Sequence, residues 1–308
     1  MGKLLIVGTV AFDAIETPFG KTDKILGGAA TFIGLAASQF DVDSAIVSVV
    51  GEDFPQEYLD LLTDRNIDIS ALEIVKGGKT FFWKGKYQND LNSRETLITD
   101  LNVLANFNPV VPDDFKDAEV VMLGNLHPSI QLSVINQLKK RPRRIILDTM
   151  NFWMDNTWDE LQEVIKHIDV LTINDEEARQ LTQEYSLVKA AQKIYGMGPK
   201  YVVIKKGEHG ALLFHKEQIF FAPALPLEEV FDPTGAGDTF AGGFAGYLAA
   251  SDDSSFNNMK KAVIHGSNLA SFSVEKFGTE RMLSLEHKEI KDRLHQFKKL
   301  TQFDIELQ

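Results

Sequence analysis

The stretch DPTGAGDTFAGGF, residues 232–244, concentrates residue types that can do chemistry. Pro233 fixes φ, and Gly235, Ala236 and Gly237 allow a tight turn directly before Asp238. From Asp238 onward the residues are small and apolar, the pattern of a buried helix. A helix start leaves N–H groups without partners and carries the positive end of the helix dipole. Glycines remove the Cβ atoms that would keep an anion away from those groups. The string therefore reads as an anion cradle, and a phosphate is its natural guest. Asp238 would repel that phosphate. Its presence makes sense if it takes a proton from a hydroxyl that attacks the phosphorus, since a general base must lie within hydrogen-bond reach of the proton it removes. In isolation an aspartate here reads as a helix cap; the whole string favours the base.

Other segments hold weaker signals. INDEEA (173–178) leaves a strand-like run and starts a helix. Asn174 and Glu177 read either as an N-cap with an acidic first turn or as oxygen ligands for a hard cation. VVIKKGEHGALLF (202–214) reads as a hairpin whose glycines make the turn, or as a strand end that lets a ligand approach at Gly207. Asp13 follows the first strand, and Gly27 and Gly28 open a helix in LGGAATFIGLAA (26–37). A carboxylate beside exposed backbone can hold two hydroxyls; a surface Asp and a helix-start turn give the same letters. GGKT (77–80) ends like a Walker A loop, but Glu73 stands where that motif needs glycine, so a turn is expected. No G-x-G-x-x-G follows the first strand. His127 reads as a loop residue, and Trp153 and Trp158 as core or cover.

The elements that must position these residues alternate. Apolar, β-branched runs at 4–8, 45–51, 120–125, 144–149, 170–174 and 201–207 predict strands, followed by a hairpin of GALLF and QIFFA. Helical patterns fall at 28–39, 55–64, 130–139, 158–167, 175–183 and 187–196. Strands apolar throughout, alternating with helices, predict a mostly parallel sheet covered on both faces. Residues 79–104 instead alternate at period two, an antiparallel hairpin with one wet face, and residues 10–26 read as extended. Together these two stretches predict a small sheet standing off the main domain as a lid, on which Phe82, Trp83 and Tyr87 could close over a substrate.

The chain has 308 residues, 44% of them hydrophobic, enough for one large core. Net charge is −12, and the only basic cluster, KKRPRR (139–144), precedes a strand, so nucleic acid is not an expected partner. No Cys is present, which excludes disulfides and thiolate metal sites. Neither a signal peptide nor a membrane-length apolar run is found, and a soluble, cytoplasmic protein is expected.

DPTGAGDTFAGGF resembles the C-terminal signature of the ribokinase-like, or PfkB, carbohydrate kinases, and the strand–helix order is similar across nearly the whole chain. The resemblance implies a single domain over 1–308: a three-layer αβα fold with a mostly parallel central sheet and a small antiparallel β lid, its segments near 10–26 and 79–104. It implies ATP and Mg²⁺, and transfer of the γ-phosphoryl group to a primary hydroxyl of a sugar or, alternatively, a nucleoside; a catalytically silent metabolite binder is a third reading. Asp238 is then the base, with Gly235, Ala236 and Gly237 shaping the anion hole. Asn174 and Glu177 organise Mg²⁺, partly through water. Asn174, Lys205, Gly207, Glu208, Gly210, Thr234 and Asn268, with Ser267 beside it, fall at the nucleotide site. Asp13, Gly27, Gly28 and Phe32 fall at the acceptor site. Asp232, with Thr234 and the loop near Gly278, sits where some relatives bind a monovalent cation such as K⁺. Phe32 departs from the asparagine that many relatives carry there, which favours a ring-bearing acceptor over a bare sugar. Lid sheets in this family pair across homodimers.

Overall fold

The computed structural model describes residues 2–91, 93–302 and 304. In chain order its strands are β1 (Gly2–Val7), β2 (Ala11–Thr17), β3 (Gly20–Lys21), β4 (Ile25–Gly27), β5 (Val42–Gly51), β6 (Ile67–Val75), β7 (Phe82–Tyr87), β8 (Arg94–Asp100), β9 (Val120–Leu123), β10 (Arg144–Asp148), β11 (Val170–Asn174), β12 (Tyr201–Lys205), β13 (Ala211–His215) and β14 (Gln218–Ala222). The α-helices are α1 (Ala29–Ala37), α2 (Gln56–Thr63), α3 (Pro128–Gln137), α4 (Asn151–Asn156), α5 (Trp158–His167), α6 (Asp175–Thr182), α7 (Leu187–Tyr195), α8 (Ala236–Ala249), α9 (Phe256–Ser273), α10 (Glu280–Leu283) and α11 (His287–Thr301).

Nine strands form the large sheet in the order β14-β13-β12-β11-β10-β9-β1-β5-β6. It is parallel from β6 to β12 and antiparallel at the β12-β13-β14 end. Successive side chains of a strand point to opposite faces, and here both faces are dry. Leu4 and Ile6 of β1 join one apolar cluster with α1, α8 and α9; Leu5 and Val7 join a second with α3, α5, α6 and α7. The result is the expected three-layer αβα architecture. Helix α8 can approach α1 closely because Gly242 has no Cβ to meet the backbone of Ile33.

The second sheet has the order β3-β2-β7-β8, with β4 also on β2. Its pairings are antiparallel except β2–β7, which is parallel. Both sequence stretches expected in a small separate sheet are in it. Two local expectations are corrected. Strand β6 had no counterpart in the sequence reading, because as an edge strand it buries only some of its residues and lacks a continuous apolar run. Strand β8 was expected to bury one face, but all seven of its residues are exposed. It lies at the outer edge of the small sheet, so neither face gains a covering layer.

GGKT makes the turn leading into β7, with Gly77 at φ +69°. The basic cluster is spent locally: Arg141 pairs with buried Asp169 at 3.0 Å, and Arg143 donates to the Leu248 carbonyl. His127 caps α3 through a hydrogen bond from the Ser129 N–H.

Candidate active site

Asp148, Asn174 and Lys205 end the adjacent parallel strands β10, β11 and β12. Ligands of open α/β sheets bind at this carboxyl edge. The start of α8 meets the same edge: the Lys205 Nζ lies 3.2 Å from where a Cβ on Gly237 would be.

The turn into α8 depends on Gly235. It holds φ +73°, and a Cβ there would come within 2.5 Å of the Phe32 ring. Phe32 is 1% exposed, so its ring fills core beneath the turn and offers no face to a substrate. That corrects the expectation of Phe32 as an acceptor contact. The anion pocket is also narrower than expected. The Ala236 N–H donates to the Pro233 carbonyl at 3.2 Å, whereas the N–H groups of Gly237 and Asp238 have no acceptor among the described residues.

Asp238 is the third residue of α8 and caps nothing, since the N-cap position belongs to Gly235 and no side-chain cap is made. Its carboxylate has no hydrogen-bond or ion-pair partner among the described residues. Burial pushes the Asp238 carboxyl up to about 7; Asp148 adds to the rise, and Lys205 and Arg94 oppose it. A carboxyl poised near neutrality is suited to proton transfer at physiological pH.

Asp13, on β2, is 6% exposed and accepts from the Gly28 N–H at 3.3 Å. Burial lifts it to about 7, the Gly28 bond opposes this, and the charges of Asp238 and Asp232 add to the rise. A Cβ on Gly27 would run into the Asp13 carboxylate, so only glycine leaves room there. Asp13, beside Gly27 and Gly28, thus lies close enough to Asp238 to feel its charge.

Asn174 and Glu177 form a reciprocal capping box, with bonds of 2.8 and 2.7 Å. This satisfies the plain reading and still leaves one Glu177 carboxylate oxygen without a partner. Burial raises Glu177 to about 7, with Asp148 adding and Lys205 subtracting. Lys205 pairs with Asp148 at 2.6 Å. Burial pulls the Lys205 ammonium down, but Asp148, Glu177 and Asp238 outweigh it and the net movement is upward. Among the described residues no three acidic or histidine side chains converge as a metal cage. Mg²⁺ on a nucleotide does not need one, because it keeps much of its water and takes phosphate oxygens. Glu177, with Asp148 beside it, fits that role.

Asp232 is wholly buried, accepts from the Thr234 and Gly278 N–H groups at 2.9 and 2.8 Å, and has no counter-cation among the described residues. Burial raises its pKa. A monovalent cation would suit this oxygen-rich turn. Gly207 and Gly210 both hold positive φ and shape the turn after β12, but Glu208 points to solvent with a side chain 71% exposed. Asn268 is fully buried; its Nδ2 donates to the Ile290 carbonyl, and its Oδ1 has no partner. Asn268 is thus closed off inside the core, which corrects the expectation of Asn268 as a nucleotide contact. Ser267 beside it is half-buried.

Three features escaped the sequence reading. Asp148 ends a run read only as a strand, and its signal was its place at the carboxyl end of a parallel strand. Thr234 donates to the Tyr87 hydroxyl at 3.2 Å, tying the second sheet to the α8 turn, and the charge of Arg94 on that sheet opposes the rise of the Asp238 carboxyl. Neither contact has a local sequence signal, because both join segments far apart in the chain.

The sequence pattern of the pfkB family carbohydrate kinases matches residues 1–286. The chain belongs to this family. It is a kinase of the ribokinase fold, similar to a cytidine kinase of Thermococcus kodakarensis, with 33% identity over 254 residues covering 80% of this chain and 89% of that one. Among solved structures, the nucleoside kinase of Methanocaldococcus jannaschii superimposes with a TM-score of 0.78 at 22% identity, covering 96% and 99% of the two chains. A putative ribokinase II from E. coli, solved with ATP and Mg²⁺, gives 0.79 at 19% identity and covers 96% and 100%. Among the described residues of this PfkB kinase, no helix is long and apolar enough to cross a membrane.

Proposed function

We propose that this kinase transfers the γ-phosphoryl group of ATP to the primary hydroxyl of a nucleoside. The observation that carries the chemistry is the unpartnered Asp238 carboxylate beside two open N–H groups at the start of α8. Asp238 takes the hydroxyl proton as the acceptor oxygen attacks the γ-phosphorus. The bond from phosphorus to the bridging oxygen breaks, and ADP leaves with that electron pair. The Gly237 and Asp238 N–H groups receive charge gathering on the transferred group, and Lys205 adds a fixed positive charge beside them. Mg²⁺, when bound, neutralises phosphate charge; Asn174, Glu177 and Asp148 would face it. Asp13 and the backbone at Gly27 and Gly28 hold acceptor hydroxyls. Asp232 would hold a monovalent cation such as K⁺ behind the anion pocket.

The preference for a nucleoside over a bare sugar rests on the cytidine kinase relative and on Trp83. Trp83 pairs in register with Asp13, and its indole lies across Gly85, beside the place where the acceptor's hydroxyls would sit. The second sheet acts as a lid that keeps water from competing as the nucleophile. The fully exposed β8 would pair with its copy in a homodimer. A cytoplasmic setting suits ATP as donor. The test is ADP release with Mg²⁺ and ATP across a panel of nucleosides and free sugars. Turnover on ribose equal to that on every nucleoside would overturn the acceptor assignment.

A further inference from the structure

Residues 231–235 lead into the turn that opens α8, and two residues of the second sheet touch them. The Phe19 ring, at the tip between β2 and β3, lies 5.5 Å from the Phe231 ring at an interplanar angle of 57°. Tyr87, the last residue of β7, accepts a hydrogen bond at 3.2 Å from the Thr234 hydroxyl. Asp232 lies between these contacts, and its carboxylate joins the N–H groups of Thr234 and Gly278. Tyr87 is 6% exposed and Thr234 8%, so the Tyr87 ring is packed away from any substrate. What Tyr87 offers is its hydroxyl. In so dry a place, removing it leaves the Thr234 hydroxyl buried without that acceptor. The bond joins positions 147 apart in sequence and falls one residue before Gly235, whose φ of +73° makes the turn. Thr234 cannot shift without shifting that turn and the open N–H groups of Gly237 and Asp238 just beyond it. Four residues earlier on β7, Trp83 is paired in register with Asp13 of β2. At about 3.3 Å per residue, β7 therefore spans about 13 Å from the acceptor residue to the phosphate turn.

We propose that Tyr87 is a positioning residue: by holding the Thr234 hydroxyl, it couples binding of the acceptor at Asp13 to the geometry of the phosphate turn at the start of α8. An acceptor gripped at Asp13 fixes β2 and, through the parallel pairing, β7. Tyr87 then holds Thr234 in place, and the Gly237 and Asp238 N–H groups are presented as a phosphate needs them. Linkage makes the effect mutual: a nucleotide seated on those groups tightens the hold on the acceptor by the same factor. Tyr87 itself touches neither ligand and moves no proton. This inference rests on the phosphoryl-transfer reading above.

Calorimetric titration with β,γ-imido-ATP and Mg²⁺, an ATP analogue that is not turned over, tests it with and without a saturating nucleoside, the one the wild type phosphorylates fastest. In the wild type the nucleoside should tighten the analogue at least about fivefold, the lower end of coupling between sites. Tyr87→Phe keeps the ring and removes only the hydroxyl. Thr234→Val removes the partner hydroxyl and keeps the N–H bond to Asp232. Each should cut the coupling to below about twofold, since one neutral hydrogen bond is worth about 2–10-fold in an equilibrium. Affinity for the analogue alone should stay within about twofold of wild type. The double variant should lose no more coupling than either single one, and Thr234→Ser, which keeps the hydroxyl, should couple as the wild type does. Wild-type coupling in Tyr87→Phe overturns the proposal, as does a wild type in which the nucleoside leaves analogue affinity unchanged. Additive losses in the double variant overturn it as well. So does an equal loss of analogue affinity with and without nucleoside, which would make Tyr87 a plain part of the nucleotide site. Failure of the phosphoryl-transfer reading is a separate result: the wild type would then release no ADP with any acceptor, before any variant is compared.

Discussion

Replacing Asp238 with asparagine separates its chemistry from its cost to the fold. Moving its carboxyl from an ordinary 3.8 to about 7 makes the ionised form unfavourable in the folded protein by at most about 4 kcal/mol, at 1.36 kcal/mol per pH unit. The sign follows from linkage. A carboxyl whose pKa is higher folded than unfolded adds stability below pH 4, and that stability is lost as pH rises toward and through 7. At pH 8 the wild type therefore bears the full cost, and Asp238→Asn bears none. Asp238 is only partly buried, so solvent trims the effect; a gain of about 1–2 kcal/mol is expected, read as a Tm a few degrees higher at pH 8. The gain should shrink as the pH is lowered and vanish near pH 4. The same variant should lose about 10²–10⁴-fold in turnover, the scale of removing a general base. Differential scanning fluorimetry across pH and an ADP-release assay on one preparation give both numbers. A variant that is less stable at pH 8, or that turns over near the wild-type rate, refutes the view of Asp238 as a desolvated base without a partner.

Because Asp238 must be ionised to act, kcat/KM should rise with pH up to about 7 and level off above it; Asp148→Asn removes a negative neighbour and should move that limb to lower pH, visible in a pH–rate profile. Lys205→Met leaves Asp148 a buried charge without its partner and should cost about 3–5 kcal/mol in urea unfolding, with much of the loss recovered by adding Asp148→Asn. The lid edge should pair between copies: sedimentation of wild type is expected to give a dimer, and Ile98→Lys, on an exposed strand that already shows 41% of Ile98 to solvent, should give a monomer with unchanged Tm.

The parallel sheet was legible because burial on both faces leaves long apolar runs, as at Leu4 to Val7, and the helices between them carry their own periodicity. Strand β6 was not, since an edge strand with mixed burial has neither signature. Asp13, Gly235, Gly237 and Asp238 could be picked out by residue type and spacing, because a turn before a helix forces glycine locally. Phe32 could not be placed from sequence: nothing local tells that its ring lies under Gly235, a contact set only by how α1 packs against the turn into α8. Ala236 likewise lost its free N–H to a turn bond with Pro233 whose geometry depends on the whole loop. Asp148 and Arg94 take their importance from neighbours distant in sequence.

Asp13 belongs to β2, within the plate that covers the cleft, yet its carboxylate is gripped from below by the Gly28 amide at the head of α1. The plate is stitched to the body at both of its sequence stretches, so opening of the lid proposed above would tip it as one slab. Outward tipping would carry Asp13, proposed to hold the acceptor, along with it. Loosening of product and admission of the next molecule would then be a single mechanical event.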